Sequence, residues 1–216
     1  MHDTDISFDE LDRDGALEEA ASKVGLTRRG AITGGLLAAG GLAGTGLLGA
    51  FTSSASAQNA QSDTDILNFA LTLEFLEGAF YAQAAPNVTG DAKRLAQVAG
   101  AHEAAHVKAI QGILGSAAVA SPQFNFGNAV LDQATFLKTA LTLEDTGVAA
   151  YKGQAPFIAS RAVLASALGI HSVEAKHATW ARQLNGASLL PSPEDKPLTK
   201  DQVLAAVKST GFVVGL

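Results

Sequence analysis

Cysteine is absent from the 216-residue chain, and methionine and tryptophan occur once each. Without thiols there is no disulfide framework, no thiolate metal site and no cysteine nucleophile, so any metal must be held by nitrogen and oxygen. A basic excess is lacking as well: 15 Lys and Arg stand against 21 Asp and Glu, for a formal net charge of −6. That balance leaves no electrostatic footprint for nucleic acid, which calls for a basic patch or stripe. Aromatic residues make up only 6% of the chain, whereas hydrophobic residues reach 47%. A chain rich in Ala and Gly and so poor in aromatics favours closely packed helices over a β-sandwich. Its length suits one domain with enough residues to bury a core.

Charge is also missing from one long stretch. Residues 31–51 contain no charged side chain, are preceded by Thr27-Arg28-Arg29 and are followed by Ala55-Ser56-Ala57. A basic segment, an apolar segment and an A-x-A site make a secretory signal, with cleavage expected after Ala57. The paired arginines and the glycine-rich apolar segment resemble a twin-arginine signal, although Gly30-Ala31-Ile32 replaces the bulkier residues usual there. The alternative is a retained anchor, since the run is long enough to span a bilayer. Residues 1–26, with eight acidic and two basic side chains, are expected to be a solvated leader. The division is therefore 1–57 leader and signal, 58–186 folded domain, and 187–216 C-terminal tail. The mature product would be periplasmic or secreted, with the twin-arginine export machinery as a partner. It keeps 13 acidic and 11 basic side chains, a near-neutral surface with no dedicated polyanion partner.

The remainder has the period of helices, and no stretch alternates long enough for a sheet. Ser62-Asp63-Thr64-Asp65 supplies a cap and early negative charge for a first helix that stops before Pro86. A second runs from Gly90-Asp91 to about Leu114. Residues 115–129 break the pattern with Gly, Pro and Asn. The third helix is expected over roughly 130–154 and the fourth from about 158 to Leu184, closed by Asn185-Gly186. Thr199-Lys200-Asp201-Gln202 has the form of a capping box, opening a short last helix near 199–209. Four long helices with a longer middle connection predict an all-α fold: a ferritin-like four-helix bundle with one long crossover, plus a short C-terminal helix.

An internal repeat carries the chemistry. Leu71-Thr72-Leu73-Glu74, then Tyr81 and Pro86, recurs as Leu141-Thr142-Leu143-Glu144, then Tyr151 and Pro156, each offset by 70 positions. Glu103-Ala-Ala-His106 recurs as Glu174-Ala-Lys-His177, offset by 71. Residues three apart share a helix face, so each Glu-x-x-His projects as a pair. Adding one Glu from each of the other two helices gives four carboxylates and two imidazoles around the bundle axis. That is the donor set of dinuclear carboxylate centres in four-helix bundles. Six hard ligands favour two iron or two manganese ions over zinc. Chance placement in so Glu- and His-poor a chain would give two Glu-x-x-His matches about once in a hundred such chains. Glu74 and Glu144 moreover sit in apolar runs, where an unpaired carboxylate is costly.

On these residues the chain from about 62 to 184 resembles the bacterial ferritin-like domain proteins, the group that includes desiccation-related proteins. The motifs that carry the likeness are Leu71-Thr-Leu-Glu74, Glu103-Ala-Ala-His106, Leu141-Thr-Leu-Glu144 and Glu174-Ala-Lys-His177. The resemblance implies a metal centre held by Glu74, Glu103, His106, Glu144, Glu174 and His177. It implies redox handling of oxygen, peroxide or ferrous iron, with a small-molecule oxidant or a metal ion as partner. Two alternatives stay open: a manganese catalase-like peroxide dismutase, and a stress-protective or binding protein whose metal is structural. A homo-oligomer and a storage role are also left open. Tyr81 and Tyr151, two turns beyond a Glu, are candidates for redox relays or for core tyrosines with a bonded hydroxyl. Glu77, whose repeat counterpart is Gly147, is a candidate fifth carboxylate or an exposed residue. His102 and His171 are expected no nearer than behind the ligands, and Asp145 is expected to point elsewhere.

Overall fold

The computed structural model describes residues 62–215. Arg28-Arg29, the uncharged run and Ala55-Ser56-Ala57 lie outside the described residues. Five helices follow in order: α1 Asp63–Ala84, α2 Gly90–Leu114, α3 Gln133–Gln154, α4 Arg161–Leu184 and α5 Lys200–Thr210. Among the described residues there is no strand beyond an isolated bridge between Phe124 and Val213, and no helix is long and apolar enough to cross a membrane.

Local chemistry sets the helix starts. Ser62 and Asp65 exchange hydrogen bonds in a capping box, as do Thr199 and Gln202. Two starts fall about three residues later than expected, because the capping side chains of Asp132 and Ser160 take the free N–H groups there. Helix α3 begins at Gln133, where the Asp132 carboxylate accepts from the Thr135 N–H at 2.8 Å. Helix α4 begins at Arg161 behind Ser160, and 155–157 form a 3₁₀ turn in front of it. The Asp63 carboxylate accepts from the N–H groups of Ala159 and Ser160, both at 2.8 Å, tying that turn to the start of α1.

Helices α1 and α2 pack as one hairpin and α3 and α4 as the other. The long link between them packs Phe126 against Phe80, Phe124 and Phe212. The C-terminal segment does not trail away from the bundle. Val203 and Val207 of α5 join the larger core cluster, and the Leu198 N–H donates to the Ala149 carbonyl at 3.0 Å. That crossing depends on Gly153, since a Cβ there would lie 1.8 Å from the Leu198 carbonyl oxygen.

The apolar core falls into two clusters. One holds Leu76, Phe80, Leu95, Phe136, Leu143 and Ala181, and the other Leu67, Leu71, Ile110, Val163, Ala167 and Ile170. On α2 the first cluster precedes residue 103 and the second follows 106. On α4 the order is reversed. The Glu-x-x-His segments therefore lie in a polar layer between two greasy ends.

Candidate metal centre

Glu74 comes from α1, Glu103 and His106 from α2, Glu144 from α3, and Glu174 and His177 from α4. All six are buried, the four carboxylates with 0% exposure. The structure brings every one of the six residues expected from the repeat into this layer. His106 Nδ1 lies 3.0 Å from Glu74 Oε2, 3.1 Å from Glu103 Oε2 and 3.2 Å from Glu174 Oε1. His177 Nδ1 lies 3.1 Å from Glu103 Oε1 and 3.4 Å from Glu144 Oε2. Glu103 thus turns one oxygen to each imidazole.

Donor atoms of Glu74, Glu103, His106 and Glu174 lie within 4.8 Å of one another, and so do those of Glu103, Glu144, Glu174 and His177. Glu103 and Glu174 belong to both groups. Many of these atoms converge without bonding to each other. Glu103 Oε1, Glu144 Oε2, both Glu174 oxygens and His177 Nδ1 are buried with no hydrogen bond of good geometry. Buried polar atoms are nearly always satisfied, and orphans gathered at a common focus require an explanation. A cation at that focus supplies one, because the donor set of carboxylate oxygen and imidazole nitrogen suits iron or manganese. The cluster could hold metal ions.

The electrostatics describe the same crowding of negative charge. Burial pushes the carboxyls of Glu74 and Glu77 well above their usual range, and Glu174 is pushed up to about 8. Burial opposes the charged form of both imidazoles, but the surrounding carboxylates outweigh it and raise His106 to about 12 and His177 to about 10. Glu103 goes the other way: despite burial, its contacts with His106 and His177 lower it to about 2. Without metal, protons carry the positive charge that this layer needs.

Each tyrosine bonds a glutamate of the opposite hairpin, so neither serves the Glu that precedes it on its own helix. The Tyr81 hydroxyl donates to Glu144 Oε1, and the Tyr151 hydroxyl donates to Glu74 Oε1 at 2.5 Å. These crossed contacts pair 81 with 144 and 151 with 74, so α1 and α3 run antiparallel. The hairpins are related by an approximate twofold axis through the centre. Burial and the nearby carboxylates raise both phenols well above their usual value, so both hydroxyls remain donors.

Glu77 is buried, not exposed. Its Oε1 lies 3.3 Å from the point a Cβ at Gly147 would occupy, and Glu174 Oε2 lies 3.3 Å from the same point. The absent side chain at 147 makes the room for both. His171 joins neither donor group, and Asp145 pairs with Arg182. His102 is closer to the centre than its sequence position suggests: its Nδ1 lies 2.8 Å from His177 Nε2. Its four-residue spacing to His106 was visible in the sequence, but its partner across the bundle required the packing of α2 on α4.

A bundle of two packed helical hairpins with a buried Glu/His cluster defines a carboxylate-bundle protein that could hold metal ions. The family model for the ferritin-like domain matches residues 62–187, and the chain belongs to that family. A comparison with curated proteins gives no match.

Proposed function

We propose that this is an exported ferritin-like protein holding a dinuclear iron or manganese centre, used in redox handling of oxygen, peroxide or ferrous iron in stress defence. The observation that carries this reading is the pair of four-residue donor groups sharing Glu103 and Glu174. One ion would be held by Glu74 and His106, the other by Glu144 and His177, with Glu103 and Glu174 available to both. Two such metals, when bound, supply paired one-electron redox steps at oxygen-rich coordination.

The chain's own residues prepare that site. Glu103, lowered to about 2, is ionised and turned toward both imidazoles before any metal arrives. Tyr81 and Tyr151 hold Glu144 and Glu74 by one oxygen each and leave the other oxygen free to turn inward. The apolar clusters on both sides exclude bulk water and strengthen every interaction between them. Export through the twin-arginine route, and kinship with the desiccation-related group, belong to the same proposal. They rest on Arg28-Arg29 and on the motif likeness.

A second reading has one specific observation in its favour. The four carboxylates are fully shut off from solvent, as in a structural metal that only staples the bundle. The two readings part on a single variant. After anaerobic reconstitution with Fe(II) or Mn(II), the protein is expected to turn over peroxide or oxygen, and Glu144→Ala to abolish that turnover. Loss of thermal stability in Glu144→Ala, with no turnover by the loaded parent protein, would establish the staple.

A further inference from the structure

The hairpins depart from their repeat at two places in the centre, and both departures fall on the same half. The first is His102, whose counterpart at an offset of 71 is Val173. His102 is exposed on α2, and its Nδ1 lies 2.8 Å from His177 Nε2, the rings inclined by only 15°. Since His177 turns Nδ1 toward Glu103 and Glu144, its Nε2–H donates to His102. That bond fixes the ring's rotation and keeps Nδ1 turned to the centre. Such an outer partner orients a ligating imidazole and raises its basicity. By the repeat, the place that His102 takes beside His177 falls to Val173 for His106, and a valine side chain offers no acceptor.

The second departure is Glu77, opposite Gly147. Gly147 lies one turn beyond Glu144 on α3, and the buried Glu77 carboxylate fills the space it leaves beside Glu174. The extra carboxyl group is thus placed beside Gly147, on the Glu144 side of the centre.

We propose that the two metal positions are unequal, the Glu144–His177 position binding its ion more tightly and filling first, with His102 as the positioning residue that makes it so. This rests on the dinuclear reading. The test is an anaerobic Mn(II) titration of the metal-free protein followed by electron paramagnetic resonance. Up to the first equivalent, the spectrum expected is that of an isolated ion, giving way to a coupled pair as the second equivalent binds. His102→Ala, a change at an exposed position, is expected to weaken the first step by about 10- to 100-fold. The isolated-ion spectrum should then shrink. His102→Asn, whose Oδ1 accepts a bond near where Nδ1 lies, is expected to restore it. A coupled spectrum from the first addition, or a first step untouched by His102→Ala, would overturn the proposal while leaving a dinuclear centre in place. No bound manganese at all would remove the dinuclear reading itself.

Discussion

At position 147 the repeat exchanges a glutamate for a glycine, and the consequence is felt across the bundle. A Gly→Ala change inside a helix ordinarily stabilises by roughly 1 kcal/mol. Here the new methyl would stand 3.3 Å from both Glu174 Oε2 and Glu77 Oε1, so those carboxylates must shift. Gly147→Ala is expected to leave the metal-free fold intact and to weaken metal binding about tenfold, read by competition with a chelator. The tyrosines make a second test. Tyr81→Phe removes a donor to a buried carboxylate, a bond worth about 1–3 kcal/mol, and should lower stability by that amount in urea unfolding of the metal-free protein. The six Glu and His positions were legible because polar residues recurring in an apolar helix must share a face. Which glutamate each tyrosine reaches was not, since that depends on the antiparallel pairing of α1 with α3.

Among the elements, the starts of α1 and α5 could be read directly, because Ser62 and Thr199 each have an acceptor side chain three residues on. The starts of α3 and α4 were read about three residues early. Apolar periodicity continues through Val130 and Ile158, but Asp132 and Ser160 compete better for the free N–H groups. The docking of the C-terminal segment was hidden for another reason: a backbone carbonyl passing over a glycine leaves no side-chain pattern. Gly153→Ala forces that carbonyl away. The expected outcome is faster proteolysis within 187–198, with the helix content of α1–α4 unchanged by circular dichroism. Equal cleavage rates would show that the segment does not depend on this contact.

For the whole molecule, the buried layer links folding, protons and metal. Glu174 is raised from 4.5 to about 8 in the folded state, so the stability from its proton is complete below about pH 4.5 and is lost as pH rises through 8. His177 and His106 add stability that is complete below 6.5 and is lost as pH rises through about 10 and about 12, respectively. Glu103, lowered to about 2, acts oppositely and gives up its contribution as pH falls below 4.5. The metal-free protein should therefore melt at a lower temperature at about pH 9 than at about pH 5. A flat or rising profile would contradict this assignment. Metal binding requires the deprotonated ligands, so affinity should rise over the same range.

The most direct test of the account is the metal content of the protein purified without chelator from its own export route. About two iron or manganese ions per chain are expected, and their loss in the Glu103→Ala/Glu174→Ala double variant, because those two carboxylates are shared by both donor groups. A chain that carries no metal, and takes up none on anaerobic reconstitution, would contradict it and leave the buried carboxylate layer without its cation.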